Sequence, residues 1–182
     1  TNSYTPGKTS VTVTKAWNDK NNQDGLRPGS IQVQLYADGK AVGEAIDLTE
    51  NKDWTYTWSD LDQKASGKTI VYTVKELTAV KGYTTSINDS EQGNVVITNN
   101  HTPETTAIKG TKIWNDKDNQ DGKRPDTITV NLLADGKAVD SKEVTSTDGW
   151  TYEFTNLPKY QNGQLINYTV TENEVSDYST TI

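Results

Sequence analysis

Two positions in this sequence put a lysine into a row of apolar side chains. Val11, Val13, Lys15 and Trp17 fall on one parity, and so do Ile108, Gly110, Lys112 and Trp114. In a strand, alternate residues face the same side. Glutamates recur in the same manner: Tyr72, Val74 and Glu76 share a parity, as do Tyr168, Val170 and Glu172. Val95, Ile97 and Asn99 form one further row. Period-two geometry therefore aims a Lys, a Glu and an Asn into an apolar interior. These residues also stand near the ends of their runs, where alternation decays into solvent, so parity alone leaves exposed positions open.

Buried charges need compensation. A salt bridge is one form of it, and chemistry is another. A desolvated lysine loses its proton and becomes a nucleophile, while a desolvated glutamate keeps its proton and can act as an acid. A neutral amine beside an Asn carboxamide, with a protonated Glu polarising the carbonyl and shuttling protons, can form an amide and expel ammonia.

The elements that would hold these residues are strands. Helical periodicity is missing, whereas alternation is frequent: Ile31, Val33, Leu35; Ile128, Val130, Leu132; Tyr72, Val74; Val95, Ile97. Ala37-Asp-Gly-Lys40 and Ala134-Asp-Gly-Lys137 read as hairpin turns. About seven short strands per repeat, with a turn every ten or so residues, predict a β-sandwich.

Repetition organises the chain. TKAWNDKNNQDGLRP begins at Thr14 and TKIWNDKDNQDGKRP at Thr111, an offset of 97. Trp54-Thr55-Tyr56 returns as Trp150-Thr151-Tyr152, and Tyr72–Glu76 as Tyr168–Glu172, both at 96. A drift of one residue implies a single small loop deletion between two homologous domains. The polar segment Asn100–Thr106 divides them. The opening Thr1-Asn-Ser-Tyr-Thr-Pro6 matches Thr98-Asn-Asn-His-Thr-Pro103. The expected layout is residues 1–7 as the tail of a preceding repeat, 8–103 as repeat one, and 104–182 as repeat two without its last strand. The 182 residues then read as a fragment of a longer array.

Composition narrows the function classes. A net charge of −7 and a pI near 4.7 give no basic footprint for nucleic acid. No stretch has the apolar length of a membrane span. Hydrophobic residues make up only 31% of the chain and mean hydropathy is −0.81, so the core is thin. With no cysteine, an extracellular domain of this size needs a staple other than a disulfide.

The pattern resembles the Cna-B domains, the B-type repeats of collagen adhesins. Its carriers are Lys15-Ala-Trp17 and Lys112-Ile-Trp114, the Asn-Gln-Asp-Gly-x-Arg-Pro loop, the Tyr-x-Val-x-Glu strand and the terminal Ile97-Thr-Asn99. The resemblance implies an all-β fold of two tandem reverse-topology immunoglobulin-like β-sandwiches. It also implies a spontaneous intramolecular Lys–Asn isopeptide bond assisted by the Glu. In repeat one Lys15, Asn99 and Glu76 take those roles. In repeat two Lys112 and Glu172 match, and the Asn partner falls near 194, beyond Ile182.

On this resemblance the repeats are stalk spacers of a cell-wall-anchored, extracellular bacterial adhesin. They stand next to further repeats, act as monomers, and leave a host matrix ligand to another domain. No cofactor, metal, nucleic acid or membrane contact is implied. The chemistry happens once and consumes its own residues, so the chain is no enzyme. The rival reading is a module that itself grips a host protein or glycan, for which an exposed aromatic patch would speak.

Further features carry alternatives. Asn18–Gly25 and Asn115–Gly122 resemble Ca²⁺ loops, but Lys20 and Lys117 occupy the first ligand place and Ile31 and Ile128 the twelfth. They read as turn loops, with weak calcium binding as the alternative. His101, the only histidine, is expected in a solvated linker. Arg27 and Arg124 either pair with the loop aspartates or are solvated. Trp54, Tyr56 and Trp58 read as the core face of a central strand, with a carbohydrate platform as the alternative.

Overall fold

A computed structural model describes all 182 residues. The chain divides into two units, Thr1–Thr102 and Pro103–Ile182. In the first, runs rich in Val, Ile and Thr form β1 (Lys8–Asn18), β2 (Ser30–Ala37), β3 (Lys40–Thr49), β4 (Thr55–Asp62), β7 (Tyr72–Glu76), β8 (Thr84–Glu91) and β9 (Asn94–Asn100). Between them lie a two-residue pair, β5 (Lys64–Ala65) and β6 (Lys68–Thr69), and a single 3-10 turn, Glu50–Lys52.

One sheet has the order β4-β1-β9-β8 and the other β3-β2-β7. β1 and β9, the first and last strands, lie side by side and parallel, with Val13 opposite Val95, Lys15 opposite Ile97 and Trp17 opposite Asn99. The β2–β3 hairpin read in the sequence turns at Asp38 and Gly39, both at positive φ (46° and 79°), as in a type I′ turn. Side chains from the two inner faces meet in one core built from Val11, Val13, Ile31, Val33, Leu35, Leu48, Trp54, Val74, Val95 and Ile97.

The second unit repeats this plan with β10 (Thr105–Thr111), β11 (Thr127–Ala134), β12 (Lys137–Thr145), β13 (Thr151–Pro158), β14 (Tyr160–Gln161), β15 (Gln164–Leu165) and β16 (Tyr168–Glu172). β10 pairs with β13, and β12-β11-β16 form the facing sheet. Its core gathers Ile128, Val130, Leu132, Val144 and Phe154. Thr180–Ile182, the counterpart of the start of β8, form no strand. In repeat one β8 is held by β9 alone, so the pair depends on both.

The expectation for Trp54–Trp58 needs correction. β4 is an edge strand, not a central one. Trp54 precedes it, with φ at 53°, so it is not on the strand's parity at all. It reaches the core through a left-handed step and packs edge-on against Trp17, with ring centroids 5.2 Å apart. Tyr56 and Trp58 do share the inner side, opposite Val13 and Val11. At the sheet edge Tyr56 stays 39% exposed.

Candidate functional site

The three polar residues of repeat one converge. Lys15 comes from β1 and Asn99 from the adjoining β9, on the inner face where the parity placed them. Glu76 comes from the end of β7 on the opposite sheet. Lys15 is 3% exposed, Asn99 fully buried, and the Glu76 side chain 3% exposed. The Lys15 Nζ lies 3.9 Å from Glu76 Oε2. It donates to the carbonyls of Ala16 (3.0 Å) and Ile97 (3.4 Å) and sits 4.2 Å from the centroid of the Trp17 ring. Burial pushes the Lys15 amine down to about 8, against the pull of Glu76 and Asp19 and with a further push from Arg27.

The Asn99 carboxamide is oriented at both ends. Its Nδ2 donates to Glu76 Oε1 at 3.0 Å, and its Oδ1 accepts from Thr85 Oγ1 at 2.8 Å. This differs from the expected arrangement, in which the glutamate faces the carbonyl oxygen. Glu76 instead addresses the two nitrogens, and its buried Oε2 has no hydrogen bond. Thr85 was not singled out in the sequence. It lies on β8, whose eight residues are all exposed and whose composition marks nothing; only its register, directly opposite Asn99, brings it to the site.

In repeat two, Lys112 follows β10 directly and Glu172 ends β16. The Lys112 Nζ lies 2.9 and 2.8 Å from the two Glu172 oxygens, a direct ion pair with side chains 13% and 7% exposed. Thr180 Oγ1 donates to Glu172 Oε1 at 3.1 Å. The structure thus joins Lys112 to Glu172, and no asparagine takes part.

A second cluster buttresses the site. Asp19, almost fully buried, accepts from Arg27 Nε and Nη2, the Asn22 backbone N–H and Tyr83 Oη. Burial works to raise its carboxyl, but the bonds from Arg27, Asn22 and Tyr83 outweigh it and hold it below the usual range. Lys20, Asn21 and Asn22 all have φ near +50 to +60°, a left-handed turn closed by Gln23 N–H to the Asp19 carbonyl. The whole device recurs in Asp116, Arg124, Tyr178 and the turn Lys117–Asn119. Of the two readings of the arginines, pairing is the one observed. Nowhere do three or more His, Asp or Glu side chains converge on a metal-sized site.

His101 is not solvated, contrary to expectation. Its Nδ1 lies 2.7 Å from the Gly82 carbonyl and its Nε2 2.8 Å from Asp24 Oδ2, with the side chain 11% exposed. The residue continues directly from β9, which carries it over the loop instead of into a linker. Both partners offer acceptor oxygens, an arrangement that favours the protonated ring, which can donate from both nitrogens. The Asp24 bond, the largest cause, raises the His101 pKa.

Comparison with known proteins agrees with this construction. A family model described as the Cna protein B-type domain matches residues 11–100 and 108–182. A collagen adhesin of Staphylococcus aureus is 59% identical over all 182 residues, which cover 15% of its length. A crystal structure of two B repeat units of the collagen binding protein of Staphylococcus aureus superposes with a TM-score of 0.93 at 57% identity. That match covers 98% of this chain and 48% of the other. With two all-β, immunoglobulin-like sandwiches in tandem and both segments matched, the chain belongs to the Cna protein B-type domain family.

Proposed function

We propose that these B-type structural repeats are tension-bearing spacers of a bacterial surface adhesin, and that repeat one is clamped by a Lys15–Asn99 isopeptide bond formed by the protein itself. The observation that carries this reading is the burial of an amine and a carboxamide against one shared carboxylate, 3.9 and 3.0 Å from its two oxygens, in an apolar core. Nothing in ordinary packing calls for that combination. With its pKa lowered to about 8, the lysine carries a neutral amine in a minority of molecules near neutral pH, far more than an ordinary lysine does.

The strand order explains what the bond would do. Because β1 and β9 are adjacent and parallel, a pull on the two ends of the repeat shears one against the other. A covalent link from residue 15 to residue 99 carries the load across and leaves the rest of the sandwich off its path. Treated as a cross-link closing about 84 residues, it stabilises by roughly 4–5 kcal/mol through the unfolded state. That role suits a cysteine-free domain outside the cell. Neighbouring repeats are its immediate partners, and the ligand of the parent protein is bound elsewhere in it.

Intact-mass measurement tests the reading. Repeat one should weigh less than its sequence by one ammonia, and a tryptic digest should contain a branched peptide joining Lys15 to Asn99. Folded protein with the full sequence mass would refute it.

A further inference from the structure

We propose that the Thr85 hydroxyl is a catalytic group of the cross-linking reaction, serving the Asn99 carbonyl oxygen while Glu76 serves the two nitrogens. This rests on the Lys15–Asn99 reading above. The geometry divides the work. Glu76 Oε1 holds the Asn99 amide nitrogen at 3.0 Å, and Oε2 faces the Lys15 amine at 3.9 Å. One carboxylate therefore spans the nitrogen that must lose a proton and the nitrogen that must gain one. Oε1 is taken by the amide nitrogen, and Oε2 makes no hydrogen bond to the carbonyl. The carbonyl oxygen takes its hydrogen bond from Thr85 Oγ1, at 2.8 Å.

The step then balances. The neutral Lys15 Nζ adds to Asn99 Cγ, and the carbonyl electron pair moves onto Oδ1, where the Thr85 hydroxyl stabilises the developing negative charge. Glu76 takes the proton from Nζ and delivers it to Nδ2. The Cγ–Nδ2 bond breaks, the carbonyl re-forms, and ammonia leaves. An amine and a primary amide become a secondary amide and ammonia, with no oxidant or co-reactant.

A second observation supports the assignment. The loop after the glutamate is one residue shorter in repeat two, which makes Thr180 the counterpart of Thr85. Its hydroxyl also turns to the site, 3.1 Å from Glu172 Oε1. Thr85 is itself exposed, on an edge strand, and contributes nothing to the apolar core. Its substitution therefore leaves the fold in place.

The experiment follows intact mass against time after rapid cell-free synthesis of the 182-residue chain, for wild type and for Thr85→Val, Thr85→Ala and Thr85→Ser. Far-UV circular dichroism confirms folding in each. Val and Ala should slow the loss of ammonia at least tenfold, and Ser should restore it to within about threefold. The pH midpoint of the rate should stay where the wild type has it, because the amine is untouched. Val or Ala reacting at the wild-type rate overturns the proposal, as does Ser being as slow as Val, which would make the threonine a matter of shape. A wild-type chain that folds and never loses ammonia refutes the cross-link itself, and this proposal with it.

Discussion

An amine buried against one carboxylate at 3.9 Å is only partly compensated, and that shortfall is what the proposed cross-link needs of Lys15. With its pKa lowered to about 8, roughly a tenth of the molecules carry a neutral amine at pH 7. The rate of cross-linking should therefore rise about tenfold per pH unit below 8 and level off above it, measured by mass on freshly made protein. A rate flat from pH 6 to 9 would show that amine ionisation does not limit the reaction. Glu76 is the next test. Glu76→Ala removes the group between the two nitrogens but leaves both sheets, so the chain should fold and stay unlinked. Losing roughly 4–5 kcal/mol, repeat one should melt lower by on the order of 20 °C. A mutant that cross-links as fast as wild type would reduce the glutamate to a packing role.

At the scale of elements, β1 and β9 set the chemistry and the loops at their ends hold it in place. Trp17, two residues beyond Lys15, packs against Trp54 and Tyr83, and Arg27 lies over its ring. Arg27 and Tyr83 both bond Asp19, and His101 ties Asp24 to Gly82. His101 has a raised pKa from the Asp24 bond, so its contribution is fully present below the ordinary histidine value of about 6.5 and is lost as pH rises through the raised one. Asp19, Arg27 and Tyr83 face the same cluster and stay in their charge states across that window. Protection of the Asp19–Gly25 amides against hydrogen exchange should fall by about 1–2 kcal/mol between pH 6 and pH 9. The change should vanish in His101→Gln. Equal protection at both pH values would mean the ring is held by packing alone.

For the whole molecule, each unit has its own core, and they differ in size. Ten buried apolar residues line the first and five the second. Repeat one further has the proposed cross-link, while Lys112 in repeat two is held by an ion pair with Glu172. Calorimetry of the 182-residue chain should show two transitions, the lower one belonging to repeat two. Under force, repeat two should extend and repeat one should not, and a digest should return Lys112 in a linear peptide. A single cooperative melt would contradict the independence of the two cores.

Much of this was legible in the residues because strands have a period of two. Val11, Val13, Lys15 and Trp17 point one way whatever surrounds them, so parity offered the inner face to Lys15, Glu76 and Asn99, while exposed strand ends stayed open until the packed sheets buried all three side chains. The repeat at offsets of 96 and 97 likewise made two homologous domains readable, and the Asp-Gly pairs marked the hairpins because only a narrow set of residues tolerates positive φ at a turn. Parity says nothing about what lies across a sheet edge or along a loop. Thr85 became part of the site through its register with Asn99, and a run of exposed polar residues holds no trace of that pairing. His101 looked like a linker residue until β9 carried it over the Asp24 loop. Trp54 broke the alternation through a left-handed step, so its place in the core could not be counted from Tyr56. The glutamate's orientation toward the two nitrogens, instead of the carbonyl, depended on how the two sheets approach each other. Local alternation is a property of the chain, and the meeting of distant side chains is a property of the packed sheets.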